Sequence, residues 1–82
     1  MVVESSQEFE RVTSLVKDRW EAVLNLDDIE ATDDFFLLGG HSLLAVRLIA
    51  GLRDDLGIAL PVSMIFEHPL FGDFCHHIAK QS

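Results

Sequence analysis

Ser42 is the residue of this chain best placed to do chemistry. It follows Leu38-Gly39-Gly40-His41 and opens the apolar run Leu43-Leu44-Ala45-Val46. The two glycines allow a mobile turn on one side of the serine, and the apolar, helix-like segment gives a rigid support on the other. A hydroxyl at the mouth of a helix is exposed, and the first backbone N–H groups and the helix dipole favour an anion there. That combination suits a serine that carries a phosphate ester. It also suits a serine that only caps a helix, and on spacing alone the cap is the commoner use.

The same serine makes a poor catalytic nucleophile. Elbow-type hydrolases need Gly-x-Ser-x-Gly between a strand and a helix. Here the segment is Gly40-His41-Ser42-Leu43-Leu44, with no second glycine. His41 is adjacent in sequence and cannot readily turn its ring onto the neighbouring hydroxyl, and no base oriented by a third group is evident. The chain is therefore expected not to be an enzyme. Cys75, His76, His77 and His68 have the ligand types of a zinc site, but their spacing is not a zinc pattern. His76 and His77 must point to different faces of a helix, so no metal is expected, and Cys75 is expected in or beside the core.

The elements that must position Ser42 follow from apolar periodicity. Residues 1–5 read as a disordered tail. Ser5-x-x-Glu8 resembles a capping box. Phe9, Val12, Val16, Trp20, Val23 and Leu24 then recur at helical spacing, predicting a helix over about residues 6–24. Residues 25–41 show no period and are rich in Asn, Asp and Gly. A loop this long in a small domain is usually functional, and Leu26, Ile29, Phe35 and Phe36 are candidates to pin it to the core. A second helix should run from Ser42 to about Leu56, burying Leu44, Ala45, Leu48, Ile49, Leu52 and Leu56 and stopping at Gly57. Leu43, Val46 and Arg47 fall off that stripe, either as a docking surface or half-buried under the loop. Residues 62–66 read as a single helical turn. Pro69 suits a first helical position, before a last helix over about Leu70 to Lys80 with Phe71, Phe74 and Ile78 inward. The fold class is all-α, a small four-helix bundle of three main helices and one short one.

Size and charge restrict function further. Eighty-two residues make one small domain, which buries only about 60–65% of its unfolded surface and has little room for a large internal site. The apolar stretch from Leu43 to Leu52 is too short to span a membrane, and residues 1–6 lack the features of a signal peptide. One cysteine excludes an internal disulfide and fits a reducing cytoplasm. A net charge of −8 disfavours nucleic acid and favours basic partner surfaces, although solubility alone would justify it.

Asp34-x-Phe36 followed by Leu38-Gly39-Gly40-His41-Ser42-Leu43 resembles the attachment motif of peptidyl carrier (thiolation) domains of nonribosomal peptide synthetases, within the phosphopantetheine-binding acyl carrier superfamily. Leu56-Gly57-Ile58-x-Leu60-Pro61 and Phe66-Glu67-x-Pro69 resemble the later landmarks of that family, so the likeness covers roughly residues 8–80. The resemblance implies a carrier domain over residues 6–80 with the acyl-carrier type of bundle. It implies that a phosphopantetheinyl transferase uses coenzyme A and Mg²⁺ to attach 4′-phosphopantetheine to Ser42. An adenylation domain would then load the arm's thiol with an amino acid as a thioester, for condensation, thioesterase or tailoring enzymes. Tethering would raise the local substrate concentration to about millimolar for a flexible link. Gly39, Gly40, His41 and Leu43 would form the arm's surroundings, and Leu43, Val46, Arg47, Asp33 and Asp34 the partner surface of a monomeric, cytoplasmic carrier. As residues alone, Asp33 and Asp34 are more often solvated or capping, and Arg47 is equally an ordinary solvated helix residue.

His41 favours the peptidyl branch, because acyl carriers of fatty-acid and polyketide synthesis more often have Asp there. An acyl or D-alanyl carrier stays open, as does an unmodified helical interaction module. Leu37 departs from the family where an acidic residue is common, and Leu70 where Thr or Ser commonly caps the last helix.

Overall fold

The computed structural model describes the backbone of residues 2–81 and the side chains of residues 8–81. Four helices follow in order: α1 (Val2–Leu24), α2 (Ser42–Leu56), α3 (Ser63–Glu67) and α4 (Phe71–Gln81). There is no strand among the described residues, only an isolated antiparallel bridge between Asp34 and Leu70. The fold is the small four-helix bundle that the apolar periods require.

Each helix buries the stripe its spacing dictates. Val12, Val16 and Trp20, four residues apart, are wholly buried on α1. Ala45, Leu48, Ile49 and Leu52 are buried on α2, with Leu44 and Leu56 packed at the core's edge. Phe71, Phe74, Cys75 and Ile78 face inward from α4. α1 packs against both α2 and α4. Trp20 is the hub, meeting Phe35 and Phe71 edge-on at centroid distances of 5.2 and 5.1 Å and Phe74 at 5.8 Å. Such edge contacts add about 0.5–1.5 kcal/mol each beyond burial.

Helix boundaries differ from the sequence expectations at two places. α1 starts at Val2, ahead of residue 6 and inside the expected tail of residues 1–5. Extending an existing helix gains one hydrogen bond per residue fixed, so a short forward extension is cheap. Ser5 thus lies within the helix; its side chain is outside the described residues, and Glu8 instead pairs with Arg11 at 2.6 Å. α4 starts at Phe71, so Pro69 precedes the helix instead of opening it. The Pro69 carbonyl accepts the Phe35 N–H at 2.9 Å, which holds this stretch in bridge geometry.

Leu70 cannot cap α4 with its side chain, yet the end is satisfied. Its carbonyl accepts the Phe74 N–H, while Phe71 and Gly72 donate to the Asp33 and Ala31 carbonyls at 2.9 Å each. Backbone from the long loop therefore performs the capping that Ser or Thr would supply. The other ends match their residues. Asn25 takes a left-handed φ of 58° after α1, with Leu26 N–H bonded to Glu21 O, and Gly57 does the same after α2 at φ 66°. No described helix is long and apolar enough to cross a membrane.

Candidate functional site

The loop before α2 is ordered by its own side chains. Asp34 Oδ1 accepts the Phe36 and Leu37 N–H groups at 2.8 and 3.1 Å, as the N-cap of a short turn. The turn is closed by Leu38, Gly39 and Gly40 N–H groups bonded to the carbonyls of Asp34, Phe36 and Phe35. Asp33 Oδ2 accepts the Glu30 N–H at 2.8 Å, while the Asp33 N–H returns to Glu30 O. Both carboxylates were candidates for a partner surface, with solvation or capping the commoner use of such loop residues. Both are engaged in holding the loop, because each has backbone donors within three residues.

Ile29 and Phe35 anchor this loop in the core, whereas Leu26 stays largely exposed. Phe36 stacks on Phe66 of α3 at 5.3 Å, so the loop is braced from two sides.

The two glycines are needed for different reasons. Gly39 adopts φ 111°, where side chains are strained, although the space around it is open. Gly40 has an ordinary backbone but sits against Phe35: an added Cβ would lie 2.4 Å from two ring carbons. The pair thus lays the chain directly across the Phe35 ring before it enters α2.

His41 is the N-cap of α2, with extended backbone at φ −147°, ψ −179° and no side-chain capping bond. Its carbonyl accepts the Ala45 N–H at 2.8 Å. Ser42 is the first residue of the helix and is exposed. The capping use of Ser42, favoured on spacing alone, is therefore not the one it has. Its hydroxyl stands beside helical N–H groups that no intrahelical carbonyl can reach, and no acidic residue lies in that first turn. A phosphodiester fits this place: the dipole and the uncapped N–H groups favour the charge, and no carboxylate opposes it.

Around Ser42 the surface is apolar. Leu43 and Val46 are about half exposed, as their position off the buried stripe predicts, and Arg47 is exposed without an ion pair among the described residues. Leu37, 87% exposed at the tip of the turn, and Phe66 on α3 extend the same character. From sequence Phe66 counted only as part of the Phe66-Glu67-x-Pro69 landmark and not as a surface residue, since α3 is too short to show a periodic face. A groove between α1 and α2, lined by Leu15, Asp18, Arg19, Ala22 and Asp55, includes none of these residues.

The histidines divide in a way the sequence did not show. His68 at the end of α3 and His77 on α4 stack at 3.6 Å, and both face Asp73. The hydrogen bond with His68 holds the Asp73 carboxyl below the usual carboxylate range. His76 lies exposed beside them, and Cys75 is buried, which pushes its thiol up to about 12.

Comparison with known proteins agrees with this geometry. The phosphopantetheine attachment site family matches residues 14–78. Tyrocidine synthase 3 of Brevibacillus parabrevis is 44% identical over 61 residues, covering 74% of this chain and 1% of that protein. This chain thus spans a very small part of such curated relatives. A solved peptidyl carrier protein, in complex with the phosphopantetheine transferase Sfp and coenzyme A, superimposes with a TM-score of 0.78 at 30% identity, covering 84% of this chain and 90% of that one. A solution structure of a prototype peptidyl carrier domain of modular peptide synthetases gives 0.71 at 32% identity, covering 83% and 90%. The group that defines these relatives is 4′-phosphopantetheine, and this chain belongs to the phosphopantetheine attachment site family.

Proposed function

We propose that the chain is a peptidyl carrier domain of nonribosomal peptide synthesis, spanning residues 6–80, with 4′-phosphopantetheine on Ser42 Oγ. The observation that carries this reading is the position of Ser42 as the exposed first residue of α2, with the cap at His41. The hydroxyl is free of structural duty and close to uncapped N–H groups. When attached, the arm supplies a terminal thiol that holds an aminoacyl or peptidyl group as a thioester. The chain's own residues position and present it. Asp34, Gly39 and Gly40 fix the approach to the serine, α2 gives a rigid base, and the uncapped N–H groups at the start of α2 would favour the phosphate charge of an attached arm.

In this reading the domain is a substrate of a phosphopantetheinyl transferase and catalyses no step itself. Its other partners are an adenylation domain and then condensation, thioesterase or tailoring enzymes. Leu37, Leu43, Val46 and Phe66 offer these partners apolar contact, and Arg47 a charge. The relatedness to tyrocidine synthase 3 and the histidine at position 41 favour the peptidyl over the acyl branch.

The test is intact mass after incubation with a broad-specificity phosphopantetheinyl transferase, Mg²⁺ and coenzyme A. Wild type should gain one phosphopantetheine and Ser42→Ala none. A folded wild type that gains nothing would leave an unmodified interaction module as the better account.

A further inference from the structure

His68, Asp73 and His77 are the one group of three metal-ligand side chains that converge among the described residues. One donor atom from each lies within 4.8 Å of the other two. His68 Nδ1 is 2.8 Å from Asp73 Oδ2, and His77 Nε2 is 3.4 Å from Asp73 Oδ1. We propose that this trio is a surface site for a divalent transition cation, with Zn²⁺ as its best-matched occupant.

The donor separations are close to those an ion requires, and the two imidazoles, stacked at 3.6 Å, would splay on binding so that their in-plane lone pairs converge. Tetrahedral zinc with bonds of about 2.1 Å sets neighbouring donors roughly 3.4 Å apart. The donors therefore stand within about 1.5 Å of the required separations. Asp73 and His77 are four residues apart on α4, the spacing that places two ligands on one helical face. His68 is fixed separately, with its N–H bonded to Met64 O at 2.9 Å and its chain leading into the Pro69 contact with Phe35. Two imidazoles and one carboxylate suit zinc better than the hard cations, which prefer all-oxygen shells. Three protein ligands leave a fourth position for water.

The net charge of −8 also draws cations to the surface. The site departs from the sequence expectation of no metal, and it differs from the ligand set considered there. Cys75 is buried in the core, and His76, although its ring meets that of His77 edge-on at 5.9 Å, is not among the converging donors, so neither belongs to it. A bound ion would tie the end of α3 to α4.

The test is calorimetric titration of ZnCl₂ into the untagged chain without its arm, since the arm's thiol would itself bind zinc. Saturable binding of one ion per chain is expected. His68→Gln, Asp73→Asn and His77→Gln should each weaken it by at least the roughly tenfold that loss of even an outer-shell partner costs. His76→Gln should leave it unchanged. Imidazole ¹⁵N spectra of the wild type provide a readout that needs no variant: His68 and His77 should shift with Zn²⁺ and His76 should not. No saturable binding, or binding that leaves the His68 and His77 signals unmoved, would overturn the proposal and leave a hydrogen-bonded histidine–aspartate trio.

Discussion

Replacing Gly40 with alanine should damage the turn that leads to Ser42. The new Cβ would stand 2.4 Å from Phe35 Cδ2 and Cε2 and 2.7 Å from the Phe35 carbonyl oxygen. Carbon pairs rest at about 3.5–4.0 Å, so the ring and the turn must separate by about 1 Å or more. Phe35 cannot yield freely, because it is wholly buried with its ring against Trp20 and Phe36. Overpacking of this kind costs about 1–3 kcal/mol. Moving Gly40 also strains its N–H bond to Phe35 O, worth about 1 kcal/mol. The expected loss is about 2–4 kcal/mol, or a Tm lower by roughly 8–30 °C for a domain of this size. Urea unfolding measures the loss, and the rate of phosphopantetheine attachment measures the displacement of Ser42. Gly39→Ala is the companion variant, strained by its φ of 111° but with open space around it, so it should lose only about 1–2 kcal/mol. In a Phe35→Leu background the Gly40→Ala penalty should shrink by about 1 kcal/mol, since the ring is gone and only the carbonyl contact remains. A Gly40→Ala protein within about 0.5 kcal/mol of wild type, or strict additivity with Phe35→Leu, would refute the packing argument.

Ser42→Ala should abolish attachment while shifting the unfolding free energy by less than about 0.5 kcal/mol, because the side chain is exposed and caps nothing. Asp34→Ala should cost about 0.5–2 kcal/mol, the usual value of an N-cap; urea titration reads the loss, and a slower attachment rate should accompany it. Trp20→Ala should cost about 3–5 kcal/mol in the same assay, since three rings lose their common contact. Cys75 should resist iodoacetamide at pH 8 in the native state, where a thiol near 12 is about 10⁻⁴ thiolate. The folded thiol stays protonated where the unfolded one ionises, so stability should fall as pH rises past about 8.5; denaturant midpoints at pH 8 and pH 10 check the sign.

The three main helices were legible because a helix writes its buried face into spacing that neighbours alone decide. Val12, Val16 and Trp20 read as one stripe without knowledge of what covers them. The loop was legible only as a loop with apolar anchors, and of these Ile29 and Phe35 are buried while Leu26 is not. Which aspartate caps which turn depends on the three-dimensional path, so from sequence Asp33 and Asp34 read only as loop carboxylates, solvated, capping or partner-facing. The cap position moved from Ser42 to His41 because a cap is defined by backbone angles, which residue type only biases. Likewise, Leu70 looked like a missing cap because the substituting carbonyls come from residues about forty positions away. His68 meets Asp73 and His77 through the reversal between α3 and α4, and no local spacing announces it.

The bonds that run from the loop carbonyls of Ala31 and Asp33 to α4, and from Phe35 to Pro69, bear on how a carrier would meet its enzymes. They join the approach to Ser42 to the last helix, so loop and helix should open as one cooperative unit, with shared protection against amide exchange. A long connection that is already ordered loses little chain entropy at each encounter. If the exposed Leu43 and Val46 meet partners as proposed, modest contact would then suffice for recognition, and weak contact releases quickly. In the proposed carrier, rigidity in the connection would favour rapid exchange between successive enzymes, with the arm supplying the movement.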